Sequence, residues 1–419
     1  MKFICTSVDS LPASLAPDER AFTFFKASGR PGVGIVASAL KGSLKRQGYR
    51  PTRTQWDFLQ LCLAVCATDF AAPRRTSADG WTRVLDLTVG LLEPLRWAPH
   101  VPKLESMLRL LTGDFWTLRF TAGGVAPPEG KDKPIDSDCV SLLSGGLDSL
   151  IGGIDLVKLG RKPLLVSQKA FEDTDRQRRI AAALGRKAAH LQLSHGIYII
   201  GDRESSTRAR SLAFYAFAVV AASRIKADAV DIFVPENGFI SINPPLVPGR
   251  VSSLSTRTTH PRFIRELQEV LDAVGINVRL HLPYGLLTKG QMMNQCRDQG
   301  LLTSLAGDTT SCGRYRTYNR RHCGRCVPCM IRRAAFLAWG PDTTKGYAYP
   351  SLKGSDKSSG PDDPMAAALA VLEAKNLGLD RFLGATLAFA QPGERAGFRA
   401  MLQSGLDELE ALLRHDGIL

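Results

Sequence analysis

Two stretches of this chain place reactive residue types at spacings that can do chemistry. The first is Ser144-Gly145-Gly146-Leu147-Asp148-Ser149. The apolar run from Cys139 to Leu143 predicts a buried parallel strand, while Leu147, Leu150, Ile151, Ile154 and Val157 recur at helical spacing. The two glycines therefore stand between a strand end and a helix N-terminus, where positive φ and close approach of a ligand to bare backbone are tolerated. Free N–H groups and the helix dipole make that position an anion site. Ser144 and Ser149 add hydroxyls, and the Asp148 carboxylate is suited to hold Mg²⁺ between phosphate oxygens, at what should be a solvent-reachable helix N-terminus. The G-x-x-x-x-G-K-[ST] pattern is absent, which excludes the Walker-type phosphate loop.

The second stretch is Cys312-x10-Cys323-x2-Cys326-x2-Cys329. Two-residue spacings let neighbouring thiolates converge on one tetrahedral ion, and the ten-residue loop supplies the fourth ligand. With no open coordination position evident, the expected Zn²⁺ is structural and contributes on the order of 10 kcal/mol to folding of its segment. His322, beside Cys323, reads as a solvent-facing loop histidine. Cys62 and Cys66, one helical turn apart, read as small core residues.

The elements that must position these residues follow from periodicity. Met1–Cys5 predicts a first strand, Phe58 to Cys66 a helix, Leu85 to Leu92 a further helix, and Asp114 to Phe120 a half-buried strand. Thr121 to Ser137, rich in Gly, Pro and charge, is a linker. Beyond it strands at 163–167, 190–193, 229–234 and 278–282 alternate with helices at 176–184, 210–225 and 261–274, and Thr288 to Gln291 matches a capping box. Such alternation predicts an α/β domain with a doubly wound parallel sheet, its ligands at the carboxyl ends of the strands. That places the Ser144 loop, 167–174 and 235–243 on one rim. Residues 351–364 form a second polar linker, and helices at 365–377 and 398–413 make a helical C-terminal tail. The expected division is an N-terminal α+β region (1–130), a nucleotide-binding domain (138–345) with its zinc segment (312–329), and the tail (365–419).

Composition bounds the function. The chain has 419 residues and a formal net charge of +14, which favours anionic ligands: nucleotide phosphates, nucleic acid or an acidic protein. Seven arginines fall between Arg314 and Arg333, around the cysteines. No apolar run approaches the ~20 residues of a membrane span. Nine cysteines without an export signal argue for reduced thiols or bound metal, hence the cytoplasm.

With both motifs on the page, the loop resembles the S-G-G-x-D-S pyrophosphate loop (PP-loop) of the ATP pyrophosphatases. The stretch from about Asp138 to Trp339 resembles 7-cyano-7-deazaguanine synthase, the QueC family. The resemblance rests on V-S-L-L-S-G-G-L-D-S from Val140 and on S-C…C-G-R-C-V-P-C-M-I-R-R ending at Arg333. Weaker matches lie between them: Arg178-Arg179, Arg210-Ser211-Leu212, His260-Pro261-x-Phe263-Ile264 and Leu287-Thr288-Lys289. The spacer after Cys312 is slightly longer than usual, and the 235–245 segment departs from the family's substrate loop. The N-terminal region and tail are absent from the ordinary biosynthetic enzyme. Long QueC-like proteins of this shape resemble QatC, of the Qat anti-phage defence systems.

The resemblance implies an ATP-dependent ligase that adenylates 7-carboxy-7-deazaguanine. ATP and Mg²⁺ are implied beside the Zn²⁺. Ser144, Gly145, Gly146, Leu147 and Ser149 would hold the pyrophosphate and Asp148 the Mg²⁺, while Arg210 and Lys289 would face phosphate charge. Asp148, Ser149 and Lys289 are the expected catalytic residues; Glu236 and Asn237, past a strand end, are read either as readers of the amide-like edge of a purine-type base or as a turn stabilised by Asn. The acyl adenylate would pass to an amine: ammonia in the biosynthetic enzyme, the N-terminus of a companion protein in a defence-type member. Qat membership would bring an ATPase, a small companion protein and a TatD-like nuclease as partners. A nucleic-acid-modifying adenylase and a non-catalytic scaffold are the alternatives.

Overall fold

A computed structural model describes residues 1–131, 133, 135–169, 173–185, 188–199, 201–247, 257–354 and 363–419. Residues 170–172 of the expected rim, 132 and 134 of the first linker and 355–362 of the second lie outside the described residues.

Eleven strands form two sheets among the described residues. In chain order they are β1 (Lys2–Thr6), β2 (Glu19–Phe24), β3 (Val33–Val36), β4 (Val84–Leu91), β5 (Phe115–Ala122), β6 (Cys139–Leu142), β7 (Pro163–Gln168), β8 (Ala189–Leu193), β9 (Ile197–Tyr198), β10 (Val230–Phe233) and β11 (Val278–His281).

The first sheet runs β5-β4-β1-β2-β3-β9. Its first five strands are mutually parallel, and only β9 pairs antiparallel, on β3. Parallel strands need crossover connections, so the N-terminal region is itself α/β, not the expected α+β. The helix expected at 85–92 is the strand β4. Leu85, Leu87, Val89 and Leu91 are all buried, at a period of two. That signal was legible, but the runs Val84-Leu85 and Leu91-Leu92 blur it.

The helix Arg53–Ala71 starts on a Thr52–Gln55 capping box and is buried on nearly every face. One side covers the first sheet, and the other packs along the helix Arg210–Ala222. A single apolar core thus runs from Phe3, Trp56 and Leu87 to Val140, Val166 and Phe217. The N-terminal region shares its interior with the second sheet.

The second sheet is parallel throughout, in the order β11-β10-β6-β7-β8. Strand order reverses beside β6, which is the topological switch point where such sheets bind ligands. The Ser144 loop follows β6 directly.

The tail helices Asp363–Leu377, Leu379–Leu383 and Arg395–His415 build a second core with Phe239, Val327 and Met330. Gly405 lies so close to Phe239 that a Cβ there would stand 2.1 Å from the ring. None of the described helices is long and apolar enough to cross a membrane.

Candidate active site and metal centre

The loop after β6 turns on Gly145, whose φ of +93° is the left-handed region that favours glycine. Gly146 is the N-cap of the helix Leu147–Lys158, so the first N–H groups of that helix open toward the loop. The turn is braced from within: Ser149 Oγ donates to Gly146 O at 2.9 Å and lies 3.1 Å from Ser144 Oγ, which accepts from Gly146 N–H at 3.2 Å. It is also tied outward, since Thr310 N–H donates to Gly145 O at 3.1 Å and Gln177 Nε2 to Ser144 O at 3.1 Å. Leu147 gives its side chain to the core, leaving only its backbone to the site.

Asp148 is 4 % exposed, which corrects the expectation of a solvent-reachable carboxylate. It lies under the loop, where the second-sheet rim and the helix Lys289–Gln295 close over it. Asn237 donates to its Oδ2 from backbone N–H at 3.0 Å and from Nδ2 at 2.7 Å, and Lys289 Nζ donates to Oδ1. Asn237 thus takes Oδ2 twice and Lys289 takes Oδ1 once. Burial pushes Asp148 up, but Lys289, Glu236 and Asn237 together hold it below the usual carboxylate range. Burial and the Asp148 charge push Glu236 well above that range. The residues at Asp148 therefore give it a lysine counter-charge.

Asn237 is fully buried, and its Oδ1 accepts from Ile240 N–H. With its side chain spent on Asp148 and on this cap, Asn237 is not free to read a base edge. Glu236 lines the cavity.

Two compartments meet at Ser144, Pro235, Glu236 and Ile240. The smaller, about 250 Å³, is walled by Gly146, Asp148, Lys289, Thr310, Ser311 and Pro328. The larger, about 550 Å³, is walled by Ser149, Gln168, Lys169, His195, Arg210 and Tyr215 among others. That volume is in the range of cofactor pockets. Burial and the Arg210 charge lower His195 to about 4, so it is neutral beside Gln168 Nε2 at 2.7 Å.

The four cysteines converge: Cys312, Cys323, Cys326 and Cys329 place their sulfurs within 4.8 Å of one another, all buried. Cys312–Cys326 and Cys323–Cys329 separations of 3.9 and 3.8 Å match the edge of about 3.8 Å of a tetrahedron with Zn–S bonds near 2.3 Å. Backbone N–H groups of Arg314 and Cys323 donate to Cys312 Sγ at 3.3 Å, and Cys326 N–H to Cys323 Sγ at 3.2 Å. These bonds suit thiolates. The donor set fits Zn²⁺. His322 is buried, not solvent-facing, and accepts from Ser311 N–H at 3.2 Å.

Part of the arginine cluster is structural. Arg332 is fully buried on Thr309, Ser311, Thr344 and Ala306 O, and Arg333 pairs with Asp416 at 2.9 Å. The sequence reading put the Ser144 loop, 167–174 and 235–243 on one rim, and Ser144, Gln168, Lys169, Asp173, Pro235 and Glu236 do line the larger compartment, with Arg210 beside them and Lys289 in the smaller one. It missed Thr310 and Ser311 as walls, although they adjoin Cys312.

Residues 258–340 match the family model described as Queuosine biosynthesis protein QueC. This supports a QueC-like family. The matched segment is about one fifth of the chain and holds Lys289 and all four cysteines; the Ser144–Ser149 loop lies upstream of it. No curated protein matches the chain. The QueC-like segment supports an ATP-using enzyme of ATP-pyrophosphatase type in the deazaguanine pathway.

Proposed function

We propose that the chain adenylates 7-carboxy-7-deazaguanine and transfers the acyl group to an amine. The observation that carries this reading is Lys289, within the QueC-like segment, reaching the Asp148 of a glycine loop at a sheet switch point. ATP would occupy the larger compartment, with its β- and γ-phosphates against the loop N–H groups, Ser144 and Ser149. Arg210 and Lys289 supply positive charge to those phosphates. Mg²⁺ would enter with the nucleotide as its counter-ion.

A carboxylate oxygen of the substrate attacks the α-phosphorus, and the bond to the β-phosphate oxygen breaks to release pyrophosphate. An amine nitrogen then attacks the acyl carbon, AMP leaves with its oxygen, and the nitrogen loses a proton to give an amide. The chain's part is positioning and charge neutralisation. The acceptor we propose is the N-terminal amine of a companion protein in a Qat-type defence system. A terminal amine, with pKa near 8, keeps an appreciable neutral fraction at pH 7.

The test supplies ATP, Mg²⁺ and the carboxylate and measures pyrophosphate, then adds ammonia, RNA or candidate partner proteins and weighs each product intact. Pyrophosphate release dependent on the carboxylate, with one acyl increment on a partner's N-terminus, is the expected result. Accumulation of free nitrile with ammonia alone would make this a biosynthetic synthase. Release dependent on RNA would make it a nucleic-acid-modifying adenylase, and no release with any substrate would leave a scaffold.

A further inference from the structure

Both regions flanking the nucleotide-type sheet reach into the site with a carboxylate. The helix Arg210–Ala222, which carries Arg210, Ser211 and Tyr215 to the larger compartment, begins after Ala209 with no cap from its own neighbouring side chains. Its cap comes from 140 residues upstream: Asp69 Oδ2 accepts from Arg208 N–H and from Ala209 N–H, both at 2.7 Å. Asp69 is fully buried on the helix Arg53–Ala71. Its other oxygen accepts from Arg83 Nη2, and Arg83 in turn bonds Asp114, which also pairs with Arg74. The approach segment is pinned at further points. Cys66 Sγ donates to Ala209 O at 3.2 Å, Glu204 N–H donates to Phe70 O at 2.8 Å, and the Arg208 guanidinium lies 4.8 Å over the Trp81 ring.

The tail places its carboxylate at the other compartment, one bond further from the backbone. Glu408, on Arg395–His415, accepts from Thr288 Oγ1, the N-cap of the helix that carries Lys289, and the same hydroxyl oxygen accepts from Gln291 N–H in the first turn. Gly290 has no room for a side chain there, since a Cβ would stand 2.6 Å from Glu408 Oε1.

We infer that Asp69 and Glu408 are positioning residues: carboxylates supplied by the flanking regions that set the helices delivering Arg210 and Lys289, Asp69 through the backbone N–H groups at the helix start and Glu408 through the N-cap Thr288. A carboxylate at a helix N-terminus satisfies orphan N–H groups and complements the dipole. It also fixes where the first turn points, and both helices present their site residue from that turn. The flanking regions are then part of the nucleotide site. The inference rests on the proposed reading of the larger compartment as the ATP site.

The test uses the full chain and reads three quantities: ATP affinity by calorimetry, KM for ATP against kcat, and hydrogen exchange of the Arg208, Ala209 and Gln291 amides. Asp69→Ala is expected to weaken ATP binding about tenfold and to speed exchange at Arg208 and Ala209. Glu408→Ala is expected to speed exchange at Gln291 and to lower kcat. Asp69→Asn and Glu408→Gln, which keep an acceptor oxygen, should recover part of each loss; they also serve if an alanine variant does not fold. Asp114→Asn is the control, since Asp114 belongs to the same buried network but touches neither helix terminus. The inference is overturned if Asp69→Ala binds ATP like the wild type, or if Asp114→Asn weakens ATP equally at an equal loss of melting temperature. A wild-type chain that binds ATP but turns over no carboxylate would overturn the proposed reaction while leaving these comparisons readable. A wild type that binds no ATP would overturn both.

Discussion

At the scale of residues, the site is built on a buried ion pair. Asp148 and Lys289 are 4 % and 6 % exposed, so neither can be removed cheaply. Asp148→Ala leaves the Lys289 ammonium without its partner and is expected to cost about 3–5 kcal/mol of stability as well as abolishing adenylation. In Asp148→Ala/Lys289→Met no lone charge is buried, so most of that stability should return while activity stays absent. Urea unfolding of the wild type, both single variants and the double variant checks this; a double variant no more stable than Asp148→Ala would show that the pair is not coupled. The loop and the four cysteines were legible because their chemistry is local, written in spacings of a few residues. The Asp148–Lys289 pair was not. The two lie 141 positions apart, and their meeting depends on how β6 and the Lys289 helix pack. His322 failed for a related reason: a polar residue in a loop reads as exposed until the fold around it is known.

At the scale of elements, the zinc segment and the tail act as one buttress. The helix Val327–Trp339 carries Cys329 and packs on both Lys289–Gln295 and Arg395–His415. Loss of a ligand should therefore loosen the site as well as the knuckle. Cys323→Ser or Cys329→Ser is expected to lower zinc content below one per chain and to give unstable protein, as metal and folding energy are lost together; stoichiometric zinc by elemental analysis in a stable variant would contradict this. Gly405 offers a sharper probe. A larger residue there must displace Phe239, which is two positions from Asn237 and three from Glu236. Gly405→Leu is expected to cost a few kcal/mol through overpacking, and a melting temperature equal to the wild type would refute the close approach. The tail's helices were legible from periodicity, and Thr288–Gln291 as a capping box proved to be the start of Lys289–Gln295. The tail's role was not legible, because what a helix packs against is not written in its own pattern. For β4 the reverse holds: the period of two was present and was overridden by the density of leucine.

At the scale of the whole molecule, four histidines are kept neutral by burial, among them His322, lowered to about 3. His190, His195 and His260 are each lowered to about 4, with nearby arginine charge adding to the effect of burial. The unfolded chain binds protons at these residues near pH 6.5 whereas the folded chain does not until near pH 4. Stability is therefore fully present above pH 6.5 and falls as pH drops from there toward 4. Each such histidine contributes a slope of up to about 1.4 kcal/mol per pH unit. Urea midpoints across pH 7.5 to 5, with zinc measured at each pH to exclude metal loss, should fall steadily; a flat profile would refute the burial. The doubly wound order was legible in the alternation of strands and helices. The fusion of the N-terminal region to it was not, since it depends on Arg53–Ala71 meeting Arg210–Ala222 and on β9 joining β3. That last pairing sets a timetable for synthesis. Strand β3 ends at Val36, and its partner begins at Ile197. A ribosome adding roughly 5–20 residues per second needs roughly 8–30 s to make the residues between them. Throughout that interval the nascent chain shows the outer β3 edge and the apolar flank of Arg53–Ala71, a template for pairing with other chains. Each newborn molecule thus passes through a window of adhesiveness that the finished fold conceals, and expression of residues 1–130 alone would make that window permanent.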